Sequence, residues 1–443
     1  MTTTRKISLH DLSKLDAAGR SQLLKRSEAD IAPFIDKVRP IIEAVKNEGD
    51  VALARFARDF DKSQVNPDAI AATAADFDKA LVNLDQEVLK ALEFAVESIR
   101  KFHTDQKPEE MWLHEIRPGA FAGDRFIAIP SVACYVPRGK GAFPSVVMMT
   151  TIPAVVAGVK EICIVTPPGP DGKIDDATLV AARLVGVDRV YKCGGAQAVA
   201  AVAYGTQTVQ KCAKIVGPGS PWVVAAKHLL ADIIDPGVPA GPSESIILAD
   251  ETADGRLAAL DLLIESEHGP DSSAFIVTDS PKVAADAIAA IPAYLDKMGE
   301  QRAGFASTVL GGTNGGVVLT KTFDEAIAFV NDFAPEHLQI LSNVPFEHLG
   351  KIVNAGEILL GNHTPCTLGN FVLGPNAVLP TNGTAKTASP LSVFDYMKRS
   401  SIGYVTAAGY PSLAQKARIL ATYEGFVGHA NAVSEIRDGL LAK

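Results

Sequence analysis

The sequence predicts an α/β protein: parallel sheet wound with helices in two successive blocks, with a helical segment before them and a helical tail after. Three observations predict it. A unit of helix, glycine and short apolar strand recurs in AVVAGVKEICIVTPP, AARLVGVDRVYKCGG and AVAYGTQTVQKCAKIVGPG. A second series of short apolar strands runs from SESIILAD through AFIVTDS, GGVVLTKT and HLQILS to AGEILLGN. Apolar residues at three- and four-residue spacing mark the N-terminal part, the signature of amphipathic helices.

In chain order, residues 1–124 read as a helical region, carried by PFIDKVRPIIEAVKNEGDVALARFARDFD and LDQEVLKALEFAVESIRKFHTDQ. Residues 125–240 form the first α/β block, opened by RFIAIPSVACYVP, which is β-branched and ends at Pro137. Residues 141–159, GAFPSVVMMTTIPAVVAGV, carry no charge and approach the length of a membrane span. Prolines, a serine and threonines interrupt the run and nothing like it recurs, so it reads as a buried helix beside a sheet. Gly158, Gly186 and Gly205 are placed to stop helices in the left-handed conformation. Such alternation predicts a parallel sheet, with ligands at the carboxyl ends of its strands. Those ends are TPPG, CGGAQ and VGPGSP. None is a GxGxxG, so a dinucleotide would use an incomplete or modified fingerprint. Residues 241–380 form the second block. In residues 381–443 a return segment leads to a tail, PSLAQKARILATYEGFVGHANAVSEIRDGL.

At 443 residues the chain is long enough for several domains, and its 47% hydrophobic and 21% charged residues are an ordinary soluble mixture. A net charge of −9 without a Lys/Arg run argues against nucleic acid as a partner. Five dispersed cysteines without CxxC fit reduced thiols in the cytoplasm. MTTTRKISLHDLSKLD has no apolar signal-peptide core, and no membrane partner is expected.

Four stretches carry candidate chemistry. In IESEHGPD, Glu265 and His268 stand three apart at the end of a helical pattern, about 60° around the axis, and could reach one ion. The alternative is a solvated helix end with a dipole-stabilised histidine. In NDFAPEHLQIL, Glu336 and His337 are adjacent, so joint acid–base work needs a turn there. The alternative is a polar loop. GNHTPCTLGNFVLGPNAVLPTNGTAKTASPLSVFDY, rich in Gly, Pro, Thr and Asn, reads as an ordered loop lining a site rather than a surface connection. In YEGFVGHANAV, Glu424 and His429 lie about 140° apart on a helix and need not meet one atom.

The order and wording of CYVPRG, GGAQAVAAVAYGT, KIVGPG, AGPSES, ESEHGPD, NDFAPEHLQI, GPNAVLPTNGTAK, SPLSVFDYMKR and EGFVGHANAV resemble the histidinol dehydrogenase family, from about residue 125 to the end. The resemblance implies two incomplete Rossmann-like domains in an intertwined homodimer whose tail reaches the other subunit's site. It implies zinc and NAD, and oxidation of a primary alcohol through an aldehyde to a carboxylate, L-histidinol to L-histidine in histidine biosynthesis. Carried over by position, Glu265, His268, Asn370 and His429 would hold zinc and line the substrate site. His337 would be the base for the alcohol and Glu336 would activate water. Ser243 and Glu424 would hold substrate, and Tyr135, Gln197 and Ser220 would touch NAD.

The chain departs from the family pattern inside that site. Glu265 stands for Gln and Asn370 for Asp, a reciprocal exchange that leaves the formal ligand charge unchanged. Ala377 stands for a substrate-side His, Arg138 for Gly beside the cofactor loop, and Ser220 for Asn. Three readings follow: a histidinol dehydrogenase proper, a paralogue with the same chemistry on another small polar alcohol, or a non-catalytic binding protein. Relatives acting on sulfopropanediol illustrate the second, but they differ around LSVFDYMKR. Retention of both Glu336 and His337 argues against the third.

Overall fold

The computed structural model describes residues 6–26, 31–138, 141–238 and 240–442. In chain order the strands are β1 (Leu9–Asp11), β2 (Met111–Arg117), β3 (Ala120–Ala128), β4 (Ser131–Tyr135), β5 (Glu161–Thr166), β6 (Val190–Lys192) and β7 (Lys214–Val216), then β8 (Glu244–Ala249), β9 (Ser273–Thr278), β10 (Gly315–Leu319), β11 (His337–Leu341), β12 (Glu357–Leu360) and β13 (Met397–Val405). The chain divides into two compact units, Met1–Gln106 with Ile129–Tyr396, and Lys107–Ala128 with Met397–Lys443.

The first unit holds both α/β layers, and every strand pairing in them is parallel. One sheet runs β6-β5-β4-β7 and the other β1-β10-β9-β8-β11-β12. From β4 in the first sheet and, leaving aside the edge strand β1, from β8 in the second, the chain moves outward one way, then returns to the other side of that strand. That reversal is the hallmark of a doubly wound sheet and opens a crevice beside the first strand. Apolar strands such as ESIILA and SAFIVT are buried along their whole length, as expected where helices cover both faces.

The uncharged stretch forms the helix Pro144–Ala157, buried against the helices Gln86–Gln106 and Asp176–Val185. Its threonines are tolerated there because Thr150 and Thr151 return their hydroxyl protons to carbonyls one turn back, at 2.6 Å. Among the described residues no helix is long and apolar enough to cross a membrane. Gly158 and Gly186 cap their helices in the left-handed conformation. Gly205 does not: φ is 81° but ψ is 154°, because the chain runs on through a loop before β7.

Helices dominate residues 17–106. Two elements lie outside the sequence reading of the N-terminal region. β1 adds to the edge of the six-stranded sheet beside β10, and β2 and β3 form an antiparallel hairpin. In the second unit β13 pairs with β3, so the return segment extends this small sheet. The rest of that unit is helical: Tyr410–Tyr423, Val427–Ala432 and Glu435–Leu441. All five cysteines are buried and free.

Candidate active site

Three peptide segments meet at the amino edge of the six-stranded sheet. The helix Gly255–Ser266 ends there, placing Glu265 in its last turn and His268 just beyond it. The helix Phe323–Phe333 stops at Ala334 in the left-handed conformation; Pro335 follows, and β11 begins at His337. This is the turn that the adjacent Glu336 and His337 require. The short helix Cys366–Phe371, inside the Gly/Pro/Thr/Asn-rich stretch, brings Asn370.

These segments converge. Asn370 Nδ2 donates to Glu265 Oε1 at 2.8 Å. His268 Nδ1 lies 3.0 Å from Glu265 Oε2 and 2.8 Å from the Ser243 hydroxyl. The His268–Glu265 approach is off the line of a hydrogen bond, which leaves Glu265 Oε2 a buried carboxylate oxygen without a hydrogen-bond donor. His337 Nε2 stands 3.9 Å from both Glu265 Oε1 and Glu336 Oε1. Glu265, Glu336 and His337 are all buried, whereas the His268 side chain is 45% exposed at the mouth of the cluster. Among the described residues, no group made of His, Cys, Asp and Glu alone is placed to hold an ion; the convergent set here includes an amide.

Burial and neighbouring charge pull these groups in opposite directions. Burial pushes the Glu336 carboxyl up to about 8; His337 opposes this and Glu265 adds to it. Burial disfavours the His337 imidazolium, but Glu265, Glu357 and Glu336 outweigh it and lift the ring to about 10. Burial also works against the Glu265 charge, and His268 and His337 overcome it to hold that carboxyl at about 2.

Sequence reasoning missed three residues here. Glu357, the first residue of β12, receives His337 Nδ1 at 2.9 Å. The Glu244 backbone N–H donates to Glu336 Oε2 at 2.8 Å. Arg26 Nε in turn donates to Glu244 Oε1 at 2.8 Å, and the Asn382 N–H reaches the same oxygen at 2.8 Å. A charged residue opening the otherwise apolar strand EILL was a usable signal for Glu357; Arg26 offered none.

The expected cofactor residues sit at the carboxyl edge of the four-stranded sheet, on either side of its reversal point. Tyr135 ends β4, and its hydroxyl accepts the Gly195 N–H at 3.0 Å. Gln197 is buried in the helix Gly195–Tyr204. Ser220 precedes the helix Pro221–Leu229, and in neither helix does the N-cap residue's own side chain cap the first turn. Gly217, at φ 110°, brings the loop after β7 so close to the Tyr135 carbonyl that a Cβ would collide with it. Arg138 lies across the loop after β5, donating to the Lys173 carbonyl at 3.1 Å. Ala377 is half-buried beside Asn376, whose amide is tied to the Met149 carbonyl at 2.6 Å. A cavity of about 560 Å³ opens beside His268, walled by Leu92, Phe143, Met148 and Phe371, with Glu267 and Arg302 at its polar side. Glu424 and His429 lie in the second unit and are exposed there.

Comparison with known proteins identifies the family of the chain. The family model described as Histidinol dehydrogenase matches residues 24–437. A protein of Mesorhizobium japonicum named "Histidinol dehydrogenase homolog 2" is 63% identical over 98% of this chain and 99% of its own. A Synechocystis protein named "Histidinol dehydrogenase" is 48% identical over 97% of this chain and 99% of its own. The crystal structure of histidinol dehydrogenase from Elizabethkingia anophelis superposes with a TM-score of 0.92 at 30% identity, covering 99% of both chains.

Proposed function

The chain belongs to the histidinol dehydrogenase family of NAD-dependent oxidoreductases, and we propose that it oxidises a small polar primary alcohol through a bound aldehyde to the carboxylate. The observation that carries this is His337 Nε2 held between the Glu265 and Glu336 oxygens at 3.9 Å from each. A hydroxyl placed there meets a base on one side and an acid on the other.

The residues fit zinc. Glu265 Oε2 is a buried oxygen without a donor, and it adjoins an imidazole and an amide; in our reading His429, donated by a second copy of the chain, would complete the set. The NAD side also fits: two helices begin at this edge without a cap from their N-cap side chains, and glycine allows the backbone to approach closely. When bound, zinc would gather and polarise the alcohol oxygen, and NAD would accept hydride. His337, in its neutral form, takes the hydroxyl proton. Glu336, whose hold on a proton is strengthened by burial, takes in its ionised form the proton of the water that adds to the aldehyde. Ser243 and Glu424 hold the substrate. Enclosure between the three segments keeps the aldehyde from escaping.

L-Histidinol, the family's alcohol, is the first substrate reading. A different small polar alcohol is the second, and a specific observation favours it. The Glu265–Asn370 hydrogen bond puts the ligand carboxylate on the helix Gly255–Ser266, where the family pattern has the amide, and Ala377 removes an imidazole from the substrate side. Relatives at 61–63% identity are also named histidinol dehydrogenase homologs. The test is to assay purified protein with zinc and NAD against L-histidinol and a panel of small polar primary alcohols, counting NADH per product. Two NADH per acid support the reaction. Turnover of another alcohol without L-histidinol eliminates the first substrate reading, and no turnover across the panel overturns the proposal.

A further inference from the structure

We infer that Glu357 is a positioning residue for His337, holding the ring so that Nε2 faces the alcohol; the inference rests on the reaction proposed above. The two side chains are paired at Nδ1–Oε2 2.9 Å, with exposures of only 3% and 5%. They meet because β11 and β12 run parallel with His337 and Glu357 in direct register. The strands do not need this pair to stay together, since the ladder already joins them: the Glu357 N–H donates to the Glu336 carbonyl at 2.9 Å and the Gly356 N–H to the Pro335 carbonyl at 2.9 Å.

The other Glu357 oxygen, Oε1, is buried without a hydrogen-bond partner. A buried carboxylate whose hydrogen bonding is confined to one histidine is costly for stability alone. Its effect on the ring is specific. Once the ring is neutral, a carboxylate at Nδ1 keeps the remaining proton there, so the lone pair falls on Nε2, the nitrogen beside Glu265 and Glu336. In the alcohol step the O–H proton passes to Nε2 and the hydride to NAD, the oxidant of the family's reaction. Nδ1 retains its own proton, and Glu357 faces the imidazolium so formed.

One short helix coordinates this pairing with the ligand couple. In Cys366–Phe371, Gly369 packs on the Glu357 carboxylate so closely that a Cβ would lie 2.7 Å from Oε1, while the next residue, Asn370, holds Glu265. The base and the metal couple are therefore braced from the same segment.

The test compares wild type with Glu357→Gln, Glu357→Asp and Glu357→Ala, all as full-length protein. Gln keeps the size and an acceptor but loses the charge. With whichever alcohol of the panel is turned over, Glu357→Gln should lower kcat at least ~100-fold with KM within about threefold, and Glu357→Asp should recover part of it. A second readout needs no substrate. Wild type labelled with 15N-histidine should show a far-downfield ring proton that is absent from His337→Asn and Glu357→Ala and moved upfield in Glu357→Gln. Full kcat in Glu357→Gln, or a wild-type spectrum without that proton, overturns the assignment. If no alcohol in the panel reacts, the functional reading falls, and the ring proton alone still decides whether Glu357 sets the tautomer.

Discussion

Replacing Asn370 by Asp tests whether Glu265 and Asn370 work as a single acid–amide couple. The amide nitrogen donates to Glu265 Oε1 at 2.8 Å, and Glu265 is fully buried. Asn370→Asp puts a second carboxylate oxygen where the donor was. At that separation two unit charges repel by about 6 kcal/mol with an effective dielectric constant of about 20. Proton uptake by one of them limits the loss, so chelator-treated Asn370→Asp should be about 3–5 kcal/mol less stable than wild type. Adding Glu265→Gln, which recreates the family's arrangement, should bring stability back to within about 1 kcal/mol, a coupling of at least about 2 kcal/mol in the double-mutant cycle. Zinc should rescue Asn370→Asp more than it stabilises wild type, because a dication between two carboxylates turns their repulsion into attraction. Glu265→Gln alone leaves two imidazoles and two amides and should hold less zinc than either wild type or the double variant. The assay is urea unfolding of the four proteins at one fixed concentration, with and without chelator, alongside zinc content per chain. Additive effects in the cycle, or Asn370→Asp as stable as wild type in chelator, would refute the couple.

Three further outcomes are expected. His337→Asn should lower kcat for the alcohol by ~100-fold or more yet spare oxidation of the aldehyde supplied directly; equal loss in both half-reactions would remove the base from its assigned step. Burial pushes Lys227 down to about 8, with Asp235 opposing, and its ammonium donates to the Gly217 carbonyl under the loop after β7. Between pH 8 and about 10.5 the unfolded chain keeps a proton that the folded chain has shed, so stability should rise with pH by at most about 3 kcal/mol from this group and stay flat below pH 8. Lys227→Met should lose that slope in urea titrations at pH 7.5 and 9.5, and identical slopes would contradict the assignment. Arg26→Met leaves Glu244 buried without its cation and should cost about 3–5 kcal/mol in unfolding experiments; a loss below about 1 kcal/mol would mean that the pair does not brace Glu336.

What the sequence made legible was local. The helix–glycine–strand units, the Glu265–His268 spacing and the turn before His337 are each settled within a few residues, where periodicity and backbone sterics act. Gly205 shows the limit even there: its positive φ was readable, but its ψ depends on a loop tied to β7. β2 escaped detection because all seven of its residues are exposed, so no inside–outside alternation marks it. β1 is three residues long and exists because β10, some three hundred positions away, offers an edge.

The same limit explains why Glu336 and His337 stand out in the sequence as a candidate pair and Glu357 does not. Glu336 and His337 are neighbours in the chain, but Glu357 becomes relevant only once the strand order β8-β11-β12 sets His337 opposite it. That order also accounts for the site's position. Dinucleotide contacts belong at the carboxyl edge, where helix N-termini point, and Tyr135, Gln197 and Ser220 lie at that edge of the four-stranded sheet. A base beside a metal needs the opposite environment: carboxylates rather than N–H dipoles. The amino edge of the six-stranded sheet supplies it, because the helix Gly255–Ser266 delivers its carboxyl end there and side chains at strand starts face one another in register. An imidazole surrounded by Glu265, Glu336 and Glu357, the base of the proposed reaction, is therefore a product of which strand ends meet, and strand pairing across twenty or more residues is the one layer that local pattern does not encode.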